Sequence, residues 1–217
     1  MLRTADEVEL VKDAWEPGIR DPMRRSVHFE RIIGRFLHSV KHKGSVVADM
    51  GPGHYDFGAA LAKRGATVIG LELDPAVIAL GRHRGLDVIE FDLRKSDLTT
   101  LGKSRWDGIF CNGSINCWWR RGRAAQDAYV QDVLAALKPK GWAYIAPCNH
   151  APGLNAAQAK HDRDAQEAIA AQHSAFVSHG FRATSLNRLQ QGLYGLSTDI
   201  LPAYVFTRNL SYGRWPW

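Results

Sequence analysis

The spacing of hydrophobic residues changes along the chain from a helical period to an alternation of short apolar runs and amphipathic segments. Helical spacing predicts a helix over residues 6–15 and a second over 27–40, whose apolar stripe includes Phe29, Ile33 and Leu37. From residue 45 onward, apolar runs of strand length alternate with helical segments that end at glycines. Strands are predicted at 45–50, 67–73, 88–91, 106–111 and 142–146, and helices at 57–64, 75–83, 124–137 and 155–179.

Two further strand-like runs, 181–189 and 200–207, end this series without a helix between them. Strands that alternate with helices form parallel sheets with helices on both faces, whereas strands joined without a helix pair as an antiparallel hairpin. The sequence therefore predicts an α/β fold: a doubly wound, mostly parallel seven-stranded sheet with an antiparallel C-terminal hairpin and an N-terminal helical extension. We place the boundary between the extension, residues 1–44, and the main domain, residues 45–217, where the alternation begins.

The composition is that of a globular chain with a sizeable core, since 45% of the 217 residues are hydrophobic. No apolar stretch approaches the ~18 residues that a membrane span needs, and Asp6, Glu7 and Glu9 lie where a signal peptide would be apolar. We therefore expect a cytoplasmic protein without a membrane partner. The three cysteines match no zinc pattern and are predicted to be free thiols. The nine histidines are scattered and include no HExxH motif, so no metal centre is predicted.

The chain is basic, with a formal charge of +6 and a pI of about 9.4. A positive net charge is compatible with a nucleic-acid partner or with a negatively charged small molecule. The basic residues are spread along the chain, with local clusters at Arg24-Arg25, at 38–43 and at 120–123. A solvated surface would show the same clusters, so charge alone does not choose a ligand.

A glycine turn follows the first predicted strand, in the segment VVADMGPGHY at residues 46–55. In a doubly wound sheet, ligands bind at the carboxyl ends of the strands, where the strand order reverses. Glu72 ends the second strand, where a carboxylate can accept hydrogen bonds from ribose hydroxyls, and Asp92 ends the third, where one can accept from an adenine amino group. Together these positions predict a nucleoside pocket. The alternative is that Glu72 and Asp92 cap the helices that follow them.

The turn differs from a dinucleotide-binding motif at its third glycine position, which is Asp56. A negative side chain at that place would repel a pyrophosphate. A zwitterionic amino-acid tail is more compatible, because Asp49 or Asp56 could attract its ammonium group while backbone N–H groups receive its carboxylate.

The segment DMGPGHYDFGAALAKRGATVIGLELDP, residues 49–75, resembles the cofactor-binding half of the class I S-adenosylmethionine-dependent methyltransferases, and with the closing hairpin the resemblance covers about 45–207. It implies S-adenosylmethionine as the cofactor and S-adenosylhomocysteine as the product. It also implies that Gly51 and Gly53 pass close to the methionine part, that Glu72 holds the ribose, and that Asp92 with Leu93 frames the adenine. The full set of cofactor-binding candidates is Asp49, Gly51, Pro52, Gly53, His54, Glu72, Leu73, Asp92, Leu93 and Asn112.

Many members of that family carry a third glycine where this chain has Tyr55. We expect His54 and Tyr55 either to line the methionine pocket or to reach toward the methyl acceptor.

The loop after the fourth strand, CNGSINCWWRRGR at 111–123, would border the acceptor in that family. Asn112 and Gly113 stand where amino methyltransferases acting on nucleic-acid bases or peptide glutamine carry Asn/Asp-Pro-Pro-Tyr/Phe, which disfavours a base amine as acceptor. Two interpretations of the rest of the loop remain open. Trp118 and Trp119 could form a stacking wall beside arginines that attract an anion, or the tryptophans could pack under the next helix beside solvated arginines.

A hydroxyl acceptor would benefit from a general base, and histidine suits that role near neutral pH. The candidates are His150, just after the fifth strand, and His54 and His28. Each is alternatively a structural histidine. The N-terminal helices, by the same resemblance, are expected to cover the acceptor site. The tail SYGRWPW at 211–217 could do likewise or could pack on the surface.

The leading hypothesis is a methyltransferase that acts on oxygen or nitrogen of a small molecule, such as a sugar or another hydroxylated or anionic metabolite. The alternatives are an RNA or other nucleic-acid methyltransferase, motivated by the basic charge, and a nucleoside-binding partner without catalytic activity.

Overall fold

A seven-stranded sheet forms the centre of the protein. The computed structural model describes residues 22–148, 158, 161–186 and 203–211, with the backbone alone for 22–28 and 203. In chain order the strands are β1 (Val46–Met50), β2 (Thr67–Glu72), β3 (Asp87–Glu90), β4 (Trp106–Asn116), β5 (Leu137–Cys148), β6 (Arg182–Leu186) and β7 (Ala203–Arg208). Their spatial order is β3-β2-β1-β4-β5-β7-β6.

The first five strands are parallel, and β7 runs antiparallel to both β5 and β6. This arrangement confirms the predicted doubly wound, mostly parallel sheet with an antiparallel C-terminal pair. The strand order reverses at β1, which pairs with β2 on one side and β4 on the other. The glycine turn therefore leaves the sheet at the point where such folds bind ligands.

The described helices are α1 (Pro22–Phe36), α2 (Asp56–Ala62), α3 (Pro75–His83), α4 (Arg123–Ala136) and α5 (Arg163–Ser178). Local chemistry sets two of their starts. The carboxylate of Asp74 accepts from the Ala76 amide at 2.9 Å ahead of α3, and the carboxylate of Asp162 accepts from the Ala165 amide at 3.0 Å ahead of α5. The helix predicted at 6–15 lies outside the described residues.

Two strands are longer than predicted. β4 continues past Cys111 to Asn116, where it pairs with Cys148 of β5, and β5 begins at Leu137 instead of residue 142. Both extensions contain register shifts, between Trp106 and Gly108 and between Asn112 and Asn116. Such bulges break the regular alternation on which a strand prediction depends.

The core has a layer on each face of the sheet. On one face, Ile109 and Ile145 of the sheet pack with α4 and with Phe176 of α5. On the other, the apolar stripe predicted in the second helix, over 27–40, is buried against the sheet, and Phe36 of α1 contacts Tyr144 with ring centroids 5.1 Å apart. Within the described residues, no helix has the length and apolar character needed to cross a membrane.

Candidate functional site

The loop after β1 requires glycine at its first position. Gly51 has φ of 64° and Gly53 of 55°, in the left-handed region that favours glycine. A Cβ atom on Gly51 would lie 2.3 Å from Cβ of Ser114, whose hydroxyl donates to the carbonyl of Met50. The loop is therefore held against β4, and the close approach at Gly51 is made by this neighbouring strand.

The structure places the side chain of Tyr55 in the core. Its backbone is left-handed, with φ of 60°, and its side chain is buried with Val77 and Leu80 of α3. Glycines make the space: a Cβ on Gly70 of β2 would lie 2.7 Å from Cε1 of Tyr55, and one on Gly81 of α3 would lie 2.5 Å from its Cζ. The residue that replaces the third glycine thus fills a gap between β2 and α3.

An arginine outside the predicted site contacts the end of this loop. Arg84, just after α3, donates to the carbonyl of His54 and lies 3.3 Å from the carboxylate of Asp56. The charge of Asp56 is therefore balanced within the protein. Only a contact between residues 28 positions apart reveals this role, so no local sequence signal could have found it.

Asp49 is the buried carboxyl group of the site. It is 2% exposed, and among the described residues its Oδ2 has no hydrogen-bond partner. Burial, reinforced by the charge of Glu72 and partly offset by the amide of Gly58, raises the pKa of Asp49 to about 8. A buried carboxylate with an open acceptor atom fits a ligand that brings a cation, such as an ammonium group.

Glu72 ends β2 and is oriented by the main chain. Its Oε1 accepts from the amides of Leu73, at 2.7 Å, and Asp74, at 3.1 Å, while its Oε2 accepts no hydrogen bond from the described residues. The cap of α3 is Asp74, not Glu72. One oxygen of Glu72 is thus fixed and the other is open to a hydroxyl donor. Leu73 beside it is 39% exposed, which suits a flat apolar ligand surface.

Asp92 lies just beyond β3 and is bound by Arg94. Its two oxygens accept from Nε and from a terminal nitrogen of that guanidinium, each at 2.9 Å. These hydrogen bonds lower the pKa of Asp92 to about 2. A nucleobase amino group would have to share this carboxylate with Arg94. Leu93 packs partly buried against the core.

The structure brings the acidic candidates together near the carboxyl ends of neighbouring strands. Asp49 lies one residue before the end of β1, Glu72 ends β2, and Asp92 lies two residues beyond β3; these adjacent strands run parallel. Asn112 lies within β4, aligned with Ala146, and not in a loop as the sequence indicated. Its buried Oδ1 has no hydrogen-bond partner among the described residues.

The tryptophan and arginine segment after β4 is partly tied into the fold. Arg120 lies 3.3 Å from Asp97 and 5.0 Å from the ring centroid of Tyr129, and Arg123 contacts Asp127 at 2.8 Å. Trp118 packs on a small cluster that includes Cys117 and Ile169 of α5, whereas Trp119 is 40% exposed.

Arg121 differs from its two neighbours. Its guanidinium stacks over Trp118, 4.8 Å from the ring centroid, and it has no acidic partner among the described residues. Each of the two interpretations of this segment is therefore correct in part. Trp118 packs against the fold and Arg120 and Arg123 form ion pairs within the protein, whereas Arg121 and Trp119 are exposed.

Of the three histidine candidates, only His54 has its side chain among the described residues. His150 lies outside the described residues, and only the backbone of His28 is described. His54 is 7% exposed. The cysteines Cys111, Cys117 and Cys148 are free thiols, as predicted. Among the described residues, no three His, Cys, Asp or Glu side chains are grouped as metal ligands.

Comparison with known proteins agrees with this geometry. Residues 48–145 match the family model described as a methyltransferase domain. Similar solved structures include an S-adenosylmethionine-dependent methyltransferase from Archaeoglobus fulgidus, with 14% identity, a TM-score of 0.55 and coverage of 89% of this chain and 97% of that one. YjhP from E. coli has 13% identity and a TM-score of 0.56, with 95% and 99% covered.

A third similar structure is the 1,6-didemethyltoxoflavin N1-methyltransferase of Burkholderia thailandensis, solved with 1,6-didemethyltoxoflavin and S-adenosylhomocysteine. It has 18% identity and a TM-score of 0.51, with 96% of this chain and 85% of that one covered. The sheet order and these similarities define the class I methyltransferase fold. Residues 48–145 therefore form a methyltransferase domain, and the chain as a whole has the fold of the S-adenosylmethionine-dependent methyltransferases. Both findings support an enzyme whose cofactor is S-adenosylmethionine.

Proposed function

We propose that this enzyme transfers the methyl group to an oxygen or nitrogen atom of a small molecule in the cytoplasm. The observation that carries the proposal is the internal pairing of Arg120 and Arg123, which leaves Arg121 over Trp118 as one outward cation beside the end of β4. Binding of a nucleic-acid backbone needs several cations that are free to meet phosphates. A single stacked guanidinium suits one anionic or hydroxylated group of a small acceptor.

The geometry at the strand ends supports the following assignment of the cofactor site. Asp49 would balance the ammonium group, and Gly51, Pro52 and Gly53 with His54 and Asn112 would surround the methionine part. Glu72 would accept from the ribose with its open oxygen. Leu73 and Leu93 would flank the adenine, and Asp92 would accept from its amino group beside Arg94.

The chain's own contribution to the reaction would be alignment. The cofactor supplies an electrophilic methyl group on a sulfonium, with a neutral leaving group, so fixing donor and acceptor in line accounts for much of the rate. For a hydroxyl acceptor we propose a histidine base from the set His150, His54 and His28. The N-terminal extension, residues 1–44, would cover the acceptor next to the domain at 45–217.

The test separates the acceptor classes. The full chain is incubated with methyl-labelled cofactor and, in parallel, with the small-molecule fraction and the total RNA of a cell extract. We expect label in a small-molecule product, at a rate insensitive to moderate salt. Label in RNA, with a steep fall in activity as salt rises, would replace the proposal with the nucleic-acid alternative. Cofactor binding without transfer to any fraction would favour a non-catalytic binding partner.

A further inference from the structure

A cleft lies at the end of the sheet opposite the glycine loop, where β1 and β5 begin. It has a volume of about 420 Å³, and its lining includes Lys41, Lys43, Ser45, Asp107, Lys140 and Asn209. We call it the lysine cleft. Its volume falls in the range of small-molecule sites, roughly 300–1,000 Å³, and none of the proposed cofactor-binding residues lines it.

The charge of the lysine cleft is positive and uncompensated. Lys41, Lys43 and Lys140 are exposed, and none of them has an ion pair among the described residues. The acidic residue of the lining, Asp107, is already bound: it lies 2.8 Å from the ammonium of Lys138 and accepts from the Val46 amide at 2.8 Å. Three lysines therefore line one concave surface, and among the described residues its one lining carboxylate, Asp107, is already paired with Lys138.

Strained backbone is concentrated at the same place. Of the four non-glycine residues with positive φ in the described chain, Lys140, at 68°, and Asn209, at 53°, both line the cleft. Lys140 belongs to the bulge in which residues 138–141 of β5 face the single residue Asp107 of β4. Asn209 donates to the carbonyl of Gly141 at 2.8 Å and so holds the bulge in place. Such conformations persist only where the surrounding structure fixes them, and they are frequent at ligand sites.

We propose that the lysine cleft binds a small molecule that carries a phosphate or diphosphate group, at a site separate from the cofactor. Three cations match an anion of two or three charges. The concave shape suits a compact ligand, whereas single-stranded nucleic acid is bound along extended grooves with aromatic stacking platforms. Because the cleft lies at the opposite end of the sheet from the proposed cofactor site, this ligand would not take part in methyl transfer.

The test uses the full chain with saturating S-adenosylhomocysteine, so that the cofactor site is filled, and titrates pyrophosphate by calorimetry at low salt. We expect one saturable site, weakened about tenfold or more in the double variant Lys43→Gln/Lys140→Gln. The control Lys103→Gln removes an exposed lysine outside the cleft and should leave the affinity unchanged. Asp107→Asn removes the negative charge of the lining and should strengthen binding several-fold. Melting curves without ligand establish that each variant is folded.

Parallel titrations with inorganic phosphate and ADP identify the source of the anion. Equal affinity for pyrophosphate and ADP means that the diphosphate group alone is recognised, and tighter ADP binding points to a nucleotide. The proposal is overturned if the wild type shows no saturable pyrophosphate site, or if the folded double variant binds as tightly as the wild type. It is also overturned if an oligoribonucleotide binds more tightly than pyrophosphate and loses that affinity in the double variant.

Discussion

At the scale of single residues, the neighbours of each carboxylate determine what it can offer a ligand. Asp56 is paired with Arg84 and Asp92 with Arg94, while Asp49 is buried with an open oxygen. The sequence presents three acidic residues at strand ends and turns without distinguishing them. Only their contacts show that Asp49 is the carboxyl group without a cationic partner among the described residues.

The pKa of Asp49 predicts how stability depends on pH. The folded pKa of about 8 lies above the ordinary value of 3.8, so the folded state binds this proton more tightly than the unfolded state. The free energy of unfolding should therefore fall as pH rises from the unfolded pKa to the folded one. Asp49→Asn has no group that titrates here, so its stability should not fall with pH in this way. At pH ~8 the cofactor-free variant should therefore be the more stable protein. The difference in the free energy of unfolding should grow by no more than ~1.4 kcal/mol for each pH unit between the unfolded and folded pKa of Asp49.

Urea unfolding of both proteins at pH ~5.5 and pH ~8 measures this difference, and calorimetry with S-adenosylhomocysteine should show weaker binding to the variant. A variant that is less stable than wild type at both pH values, with the same change in stability between them, would contradict the raised pKa of the buried Asp49 carboxyl group.

Glu72 tests the proposed ribose contact. Glu72→Ala removes the open acceptor and leaves a ribose hydroxyl without its partner, so the affinity for S-adenosylhomocysteine should fall by ~1–3 kcal/mol. Glu90→Ala is the matched control, because Glu90 aligns with Glu72 on β3 and is exposed. Equal affinity of the two variants in calorimetry would remove Glu72 from the ribose site.

At the scale of elements, the loop after β1 is defined by its neighbours as much as by its own glycines. Ser114 of β4 packs against Gly51, and Tyr55 fills the space that Gly70 and Gly81 leave between β2 and α3. The sequence shows which residues turn the chain. It does not show that these glycines accommodate side chains from elsewhere in the fold.

Gly51→Ala should destabilise the protein, because the new Cβ meets Ser114 and the backbone is left-handed. We expect a loss of ~2 kcal/mol or more in the free energy of unfolding. Gly34→Ala is the control: no atom lies within 4 Å of its added Cβ in α1, so alanine should stabilise the helix by ~0.5–1 kcal/mol. Chemical denaturation of both variants measures these changes. A Gly51→Ala variant as stable as the wild type would contradict the close approach of Ser114 to Gly51.

Tyr55→Phe tests whether the phenol has a role. The buried hydroxyl has no hydrogen-bond partner among the described residues, so its removal should leave stability unchanged or raise it by up to ~1 kcal/mol. Tyr55→Ala should instead cost ~3–5 kcal/mol by opening a cavity between β2 and α3. If the phenylalanine variant loses methyl transfer while it stays folded, the hydroxyl reaches the reaction and the packing role is incomplete.

At the scale of the whole molecule, the strand order gathers residues from different strands into one site. Because ligand binding favours the folded state, S-adenosylhomocysteine at 100 times its Kd should add ~2.7 kcal/mol to stability. For a chain of this size that corresponds to a rise of ~5–10 °C in Tm. Differential scanning fluorimetry measures the shift, with NAD as the control dinucleotide, which should produce none. A comparable shift with NAD would contradict the cofactor specificity.

The sequence by itself determined the order of helices and strands and the parallel sheet with its antiparallel end, because apolar periodicity and glycine turns are local properties of the chain. The acidic residues near the strand ends indicated a nucleoside pocket, and the resemblance of residues 49–75 to a known family implied the type of cofactor. It did not determine where β4 and β5 end, since bulges at Asp107 and beyond Asn112 arise from pairing between strands. Nor did it reveal that Tyr55 is a core residue or that Arg84 balances Asp56. These depend on contacts between distant residues, which only the packed tertiary structure brings together.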